Sequence, residues 1–124
     1  MDPEKQKKFR RGIEHFNQGE FFICHEVLEE IWLTETPAEK PFYQGLIQTA
    51  AAFHHLQRGN RSGAASLLVA GLEKLENCPA VSHGLALEDL RAGLRTCLGV
   101  LTSSGEQGPS VSPPKIRWVE SESR

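Results

Sequence analysis

The chain has 124 residues, and 14 Lys plus Arg against 16 Asp plus Glu leave a formal charge of −2. With 39% apolar and 24% charged residues, this is the composition of one globular domain, not of a disordered, collagenous or strongly nucleic-acid-binding chain. No apolar run approaches the roughly 18–20 residues that span a bilayer.

The opening segment Met1-Asp2-Pro3-Glu4-Lys5-Gln6-Lys7-Lys8 is charged and lacks the apolar stretch of a secretory signal. Three cysteines, Cys24, Cys78 and Cys97, are an odd number without C-x-x-C spacing, which speaks against a disulfide framework and fits a reducing compartment. The expected location is the cytoplasm, with no membrane partner and no nucleic acid.

Helix signals dominate the chain, and strand signals are nearly absent before the tail. Asp2-Pro3 opens a first helix of about Pro3 to Gln18, with Phe9, Ile13 and Phe16 at helical spacing. Gly19 ends it. A second helix from about Glu20 to Leu33 carries Cys24, Val27, Leu28, Ile31 and Trp32 on one stripe. Thr36-Pro37-Ala38-Glu39 resembles a capping box, and the third helix should become regular just after Pro41. Its core face is Phe42, Leu46, Ala50 and Phe53, flanked by Tyr43 and Ile47.

Gly59-Asn60 supplies a helix stop and the next N-cap. A fourth helix extends to about Asn77 through Ala64, Leu67, Leu68, Leu72 and Leu75, and a fifth spans about Leu87 to Thr102. Short connections favour antiparallel neighbours. The expected fold is all-α: an antiparallel bundle of about five helices over residues 1–102, built as two helical hairpins plus a C-terminal helix. A 40-residue shift lays His15 on His55, Gly19 on Gly59 and Leu28 on Leu68, which suits two related hairpins. Residues 103–124 form a Gly/Ser/Pro-rich tail, flexible or docked in extended form through Ile116 and Trp118.

The chemistry-bearing residues concentrate in helices two and three. His25 and Glu29 are one turn apart and share a face beside Trp32, flanking the apolar stripe. An imidazole and a carboxylate at that spacing can bond each other or share a metal ion. On the third helix Gln44, Gln48 and His55 lie opposite the Phe42–Phe53 face. Gly45, Ala51 and Ala52 would let another helix approach closely, so that His25, Glu29, Gln48 and His55 could converge. Cys24 sits on the apolar stripe, about 100° from His25, and reads as a small buried hydrophobe. Glu26 and Glu30 point to the wetter side. Lys5, Lys7, Lys8, Arg10 and Arg11 spread around the first helix, as solvated charges do. No G-x-S-x-G, H-E-x-x-H or Gly-rich phosphate loop is present.

Three segments, Phe16-Asn17-Gln18-Gly19-Glu20-Phe21-Phe22-Ile23-Cys24-His25-Glu26-Val27-Leu28-Glu29-Glu30-Ile31-Trp32, Phe42 to Ala52 and His55 to Ala64, together resemble the uncharacterised family catalogued as domain of unknown function 309. The resemblance covers about the first three quarters of the chain and implies a small helical bundle. The family's H-x-x-x-E-x-x-W pattern falls on His25, Glu29 and Trp32, where the resemblance implies metal binding. It supplies no activity.

Two readings stay open. One is a binding or interaction module with a polar groove of His25, Glu29, His55, Trp32, Gln44 and Gln48, taking a protein or small-molecule partner, with a homodimer compatible. The other is a metal-binding protein or metal-dependent hydrolase-like enzyme in which His25 and Glu29 hold a divalent ion, with His55 as third ligand and a bound water as the reactive species.

Overall fold

The apolar spacing closes into helices in the computed structural model, which describes residues 2–119. In chain order these are α1 (Pro3–Asn17), α2 (Phe21–Leu33), α3 (Lys40–Gln57) and α4 (Arg61–Leu75), then β1 (Val81–Ser82), β2 (Leu85–Ala86) and α5 (Leu87–Ser104), with a 3-10 turn over Gly105–Gln107. Helix α3 packs between α2 and α4, α1 covers α2, and α5 covers α4. No helix among the described residues is long and apolar enough to cross a membrane.

The two glycine turns share one geometry. Gly19 and Gly59 take φ of 80° and 82°, the left-handed conformation that spares a residue without Cβ. Across each turn an amide reaches back to close the preceding helix, from Glu20 to the His15 carbonyl and from Asn60 to the His55 carbonyl, both at 2.9 Å. The Asn60 side chain then accepts the Gly63 N–H at 2.9 Å and caps α4.

The capping box expected at Thr36 does not form. Glu39 is the N-cap of α3 without a side-chain bond, and the Thr36 carbonyl accepts the N–H groups of Glu39 and Lys40 at 3.0 Å each. Pro41 falls in the first turn, where its missing N–H has no helical acceptor to lose. The helix therefore begins ahead of the proline instead of after it. Helix α4 stops at Leu75, two residues short of the expected end, since Pro79 has no N–H to give the Leu75 carbonyl. The buried guanidinium of Arg91 donates to the Leu75 and Cys78 carbonyls at 2.6 and 2.8 Å. Helix α5 continues to Ser104, into the segment read as linker.

The core has an aromatic cluster at each end of α3. Phe21 packs on Phe16 and Phe53 at 5.0 and 5.5 Å between ring centroids. At the other end Tyr43 meets Phe9 at 5.7 Å and Phe42 at 5.0 Å. Each such side chain withdrawn from water contributes about 1.5–3 kcal/mol. Between these clusters α3 and α4 approach closely: a Cβ on Gly71 would stand 2.9 Å from the Gly45 carbonyl oxygen and from Thr49 Oγ1. Gly45 thus serves the contact with α4, while α2 is met closely at Gly12, whose added Cβ would lie 2.9 Å from Leu28.

A short hairpin joins α4 to α5, where the sequence reading placed no strand. Strands β1 and β2 pair antiparallel around His83 and Gly84, whose φ angles of 55° and 80° make the two-residue turn that matches strand twist. The tail extends this sheet. Leu85 bridges Trp118, the Ala86 N–H donates to the Arg117 carbonyl at 2.9 Å, and the Val119 N–H donates to Gly84 at 2.8 Å. Asn17 clamps the same strip. Its side-chain Nδ2 donates to the Ile116 carbonyl at 2.9 Å, and its Oδ1 accepts the Ile116 N–H at 2.7 Å. Ile116 is buried, and Trp118 meets Phe9 edge to face at 5.7 Å.

Candidate functional site: the outer face of α2 and α3

The core line of α2 runs through Phe21, Cys24, Leu28 and Ile31, all buried. At 100° per residue the opposite line is Phe22, Glu26, Glu29 and Leu33. The flank carrying His25 and Trp32 turns to α3. Phe22 stands 5.4 Å from the His54 ring, and Lys40 Nζ lies 4.4 Å over the Trp32 ring. The other flank turns to α1, where Glu30 pairs with Lys8 at 3.0 Å.

These contacts settle where the expected site residues stand. His25 is half-buried, and its ring lies nearly parallel to Phe22, 6.2 Å away. Glu29 is exposed, not tucked against the stripe, and lines a depression of about 250 Å³ with Glu26, Glu30 and Leu33. The reason is the position of the core line, which leaves Glu29 on the solvent side once α1 and α3 take the flanks. His25 and Glu29 share no hydrogen bond or ion pair. On α3, Gln44, Gln48 and His55 form one half-buried outer line. His55 is engaged at the helix end, where Asn60 Nδ2 donates to its Nδ1 at 3.2 Å.

The electrostatic signature of this face is unmet hydrogen bonding. His25 Nδ1, Trp32 Nε1 and Gln48 Oε1 are buried without a protein partner. Each such atom costs about 1–3 kcal/mol of lost hydration. Donors and acceptors are both present: an indole N–H, an amide oxygen and an imidazole nitrogen that can play either role. Among the described residues no group of three or more His, Cys, Asp or Glu could hold a metal ion. Cys24 is no nucleophile, since burial pushes its thiol pKa up to about 12.

The match to known proteins falls on these elements. A family model described as domain of unknown function (DUF309) matches residues 9–67, from Phe9 in α1 to Leu67 in α4. This region belongs to the DUF309 family. An uncharacterized protein of Aquifex aeolicus (strain VF5) is 35% identical over 104 residues, covering 83% of this chain and 29% of that protein. The uncharacterized protein YpuF of Bacillus subtilis (strain 168) is 33% identical over 104 residues, covering 83% of this chain and 57% of YpuF. The chain thus spans less than two thirds of either relative. The DUF309 match holds the whole of α2 and α3, and with them every residue of the outer face.

A second polar cluster was missed in the sequence; its centre, His83, lies beyond the DUF309 match, while Glu39, Phe42 and Tyr43 lie within it. His83 bonds Glu39 Oε1 through Nε2 at 2.7 Å and Ser82 Oγ through Nδ1 at 2.9 Å. Its ring stacks on Phe42 at 3.8 Å, 7° from parallel. The buried Tyr43 hydroxyl has no hydrogen-bond partner, and burial with the nearby Glu35 and Glu39 charges raises its pKa. The dipeptide His83-Gly84 was the available signal, because a residue before glycine between two apolar positions can form a tight hairpin turn.

Proposed function

We propose that this DUF309 protein is a binding module whose ligand seats on the outer face of α2 and α3, over His25, Glu29, Trp32, Gln44 and Gln48. The observation carrying this reading is the set of three buried polar atoms without partners, on His25, Trp32 and Gln48. Native interiors satisfy nearly all such groups, and exceptions collect where a structure serves something besides its own stability. Phe22 and Leu33, 51% and 63% exposed on the same side of α2, add apolar contact area of the kind that marks interaction sites.

Amide NMR of the intact protein tests this, using small polar aromatic fragments and short helical peptides as probes, alongside elemental analysis. Perturbations confined to α2 and α3, and lost in a folded Gln48→Leu or His25→Ala variant, are the expected result. Unperturbed amides on this face with every probe overturn the reading. So does stoichiometric divalent metal that a folded His25→Ala variant loses, which would make His25 and Glu29 ligands of a metal centre instead.

A further inference from the structure

Resting on that reading, we infer that the partner is a cationic amphipathic helix, and that its principal contact is the outermost line of α2. This line reads apolar, acidic, acidic, apolar: Phe22, Glu26, Glu29 and Leu33, at i, i+4, i+7 and i+11. Over about three turns it presents two hydrophobic ends roughly 16 Å apart, from the 1.5 Å rise per residue. An ordinary outer helix face is polar throughout. Here Phe22 is 51%, Leu33 63% and the flanking Ile23 42% exposed.

Charge chooses the occupant. Of the three carboxylates lining the depression beside Leu33, Glu30 is neutralised by Lys8. Glu26 and Glu29 have no cation within ion-pair distance among the described residues. A partner helix with Lys or Arg at its centre and apolar residues one to two turns away on either side meets both needs at once. A second copy of this chain does not. The midpoint of the Phe22–Leu33 line falls beside Val27 and Leu28, so two α2 helices related by a two-fold axis would set Glu26 and Glu29 of both copies against each other.

Phe22 is the anchor. Its ring is held between His25 and His54, at 6.2 and 5.4 Å. An aromatic side chain already fixed in the free protein loses little entropy on binding, as interface hot spots require.

The test is calorimetric titration of the full chain with an amidated helical peptide carrying Leu, Arg, Arg and Leu at i, i+4, i+7 and i+11. A control peptide has Glu in place of both Arg. Binding to the Arg peptide alone is expected, weakened about tenfold or more by Phe22→Ala, by the double change Glu26→Lys and Glu29→Lys, and by raised salt. These side chains are exposed, so the variants are expected to stay folded, which circular dichroism checks. Equal binding of both peptides, or of the Glu peptide alone, overturns the partner class and leaves the binding-module reading standing. A concentration-dependent dimer in sedimentation, abolished by Phe22→Ala, overturns it in favour of a second copy. If neither peptide binds and no fragment perturbs α2 and α3, both readings fail together.

Discussion

His15 and His55 close two helices in the same way. Each backbone carbonyl accepts the amide of the residue five positions on, at 2.9 Å, and each imidazole Nδ1 bonds the side chain of that residue. The partner is Glu20 at 2.6 Å in one turn and Asn60 at 3.2 Å in the other. Gln57 ties the turns together by donating to the Gly19 carbonyl at 2.9 Å. The 40-residue correspondence in the sequence is therefore a correspondence of turn geometry, and the side chain of His55 has a structural task there.

Because nothing lies within 4 Å of a Cβ built on Gly59, Gly59→Ala isolates the cost of the left-handed backbone. Urea unfolding should show a loss of about 1–2 kcal/mol, with Gly59→Asn losing less. An unchanged midpoint for the alanine variant would mean the turn tolerates another conformation.

Gly71→Ala should cost more, for a different reason. The new methyl meets the Gly45 carbonyl oxygen at 2.9 Å, and backbone cannot rotate aside as a side chain can. A loss of about 1–3 kcal/mol in the same assay is expected from overpacking, with α3 and α4 forced apart. A stability equal to wild type would contradict the close crossing.

Glu35 makes stability sensitive to acid. The Lys5 ammonium, hydrogen-bonded to it, holds its carboxyl below the ordinary carboxylate range. A carboxyl depressed in the folded state contributes its stability above its unfolded pKa of about 4.3 and loses it as pH falls through the folded value. Thermal unfolding across that acid window should show a shallower decline for Glu35→Gln than for wild type. Identical slopes would remove Glu35 as a source of acid sensitivity.

Asn17→Ala should release the tail without unfolding the bundle. Both clamping hydrogen bonds to Ile116 disappear, and an Ile116 backbone group left unpaired costs about 1–3 kcal/mol. Faster amide exchange over residues 115–119, with α2 and α3 unchanged, is the expected pattern. Exchange that rises equally everywhere would make the clamp part of the global fold.

The helices were legible because α1 to α5 each repeat apolar residues at a helical period, and Phe9, Ile13, Phe16, Phe42, Leu46 and Phe53 are all buried as that period requires. The hairpin was not, since two-residue strands offer no alternation to count. On α3 the angle count set Gln44, Gln48 and His55 on one line, and all three are half-buried. Glu29 was misplaced because its exposure depends on which flanks of α2 are taken by α1 and α3, a tertiary fact that no single-helix projection contains. The tail contacts lie further still from local pattern. Asn17 and Ile116 are 99 residues apart, and three of the five cations of α1 have separate partners. Lys5 and Lys8 pair with Glu35 and Glu30, while Arg10 lies 4.7 Å over the Trp118 ring.

That long-range clamp sets an order of events during synthesis. Helix α1 is made before the elements it packs on, and only the short turn at Gly19 separates it from α2. Phe9 also meets Tyr43 of α3, but the part of its ring that faces Trp118, together with Arg10 and the Asn17 side chain, waits for residues 116–118 to be made. The first of the five helices to be made is thus completed last, and a nascent chain stalled before Ile116 lacks the segment that covers this edge.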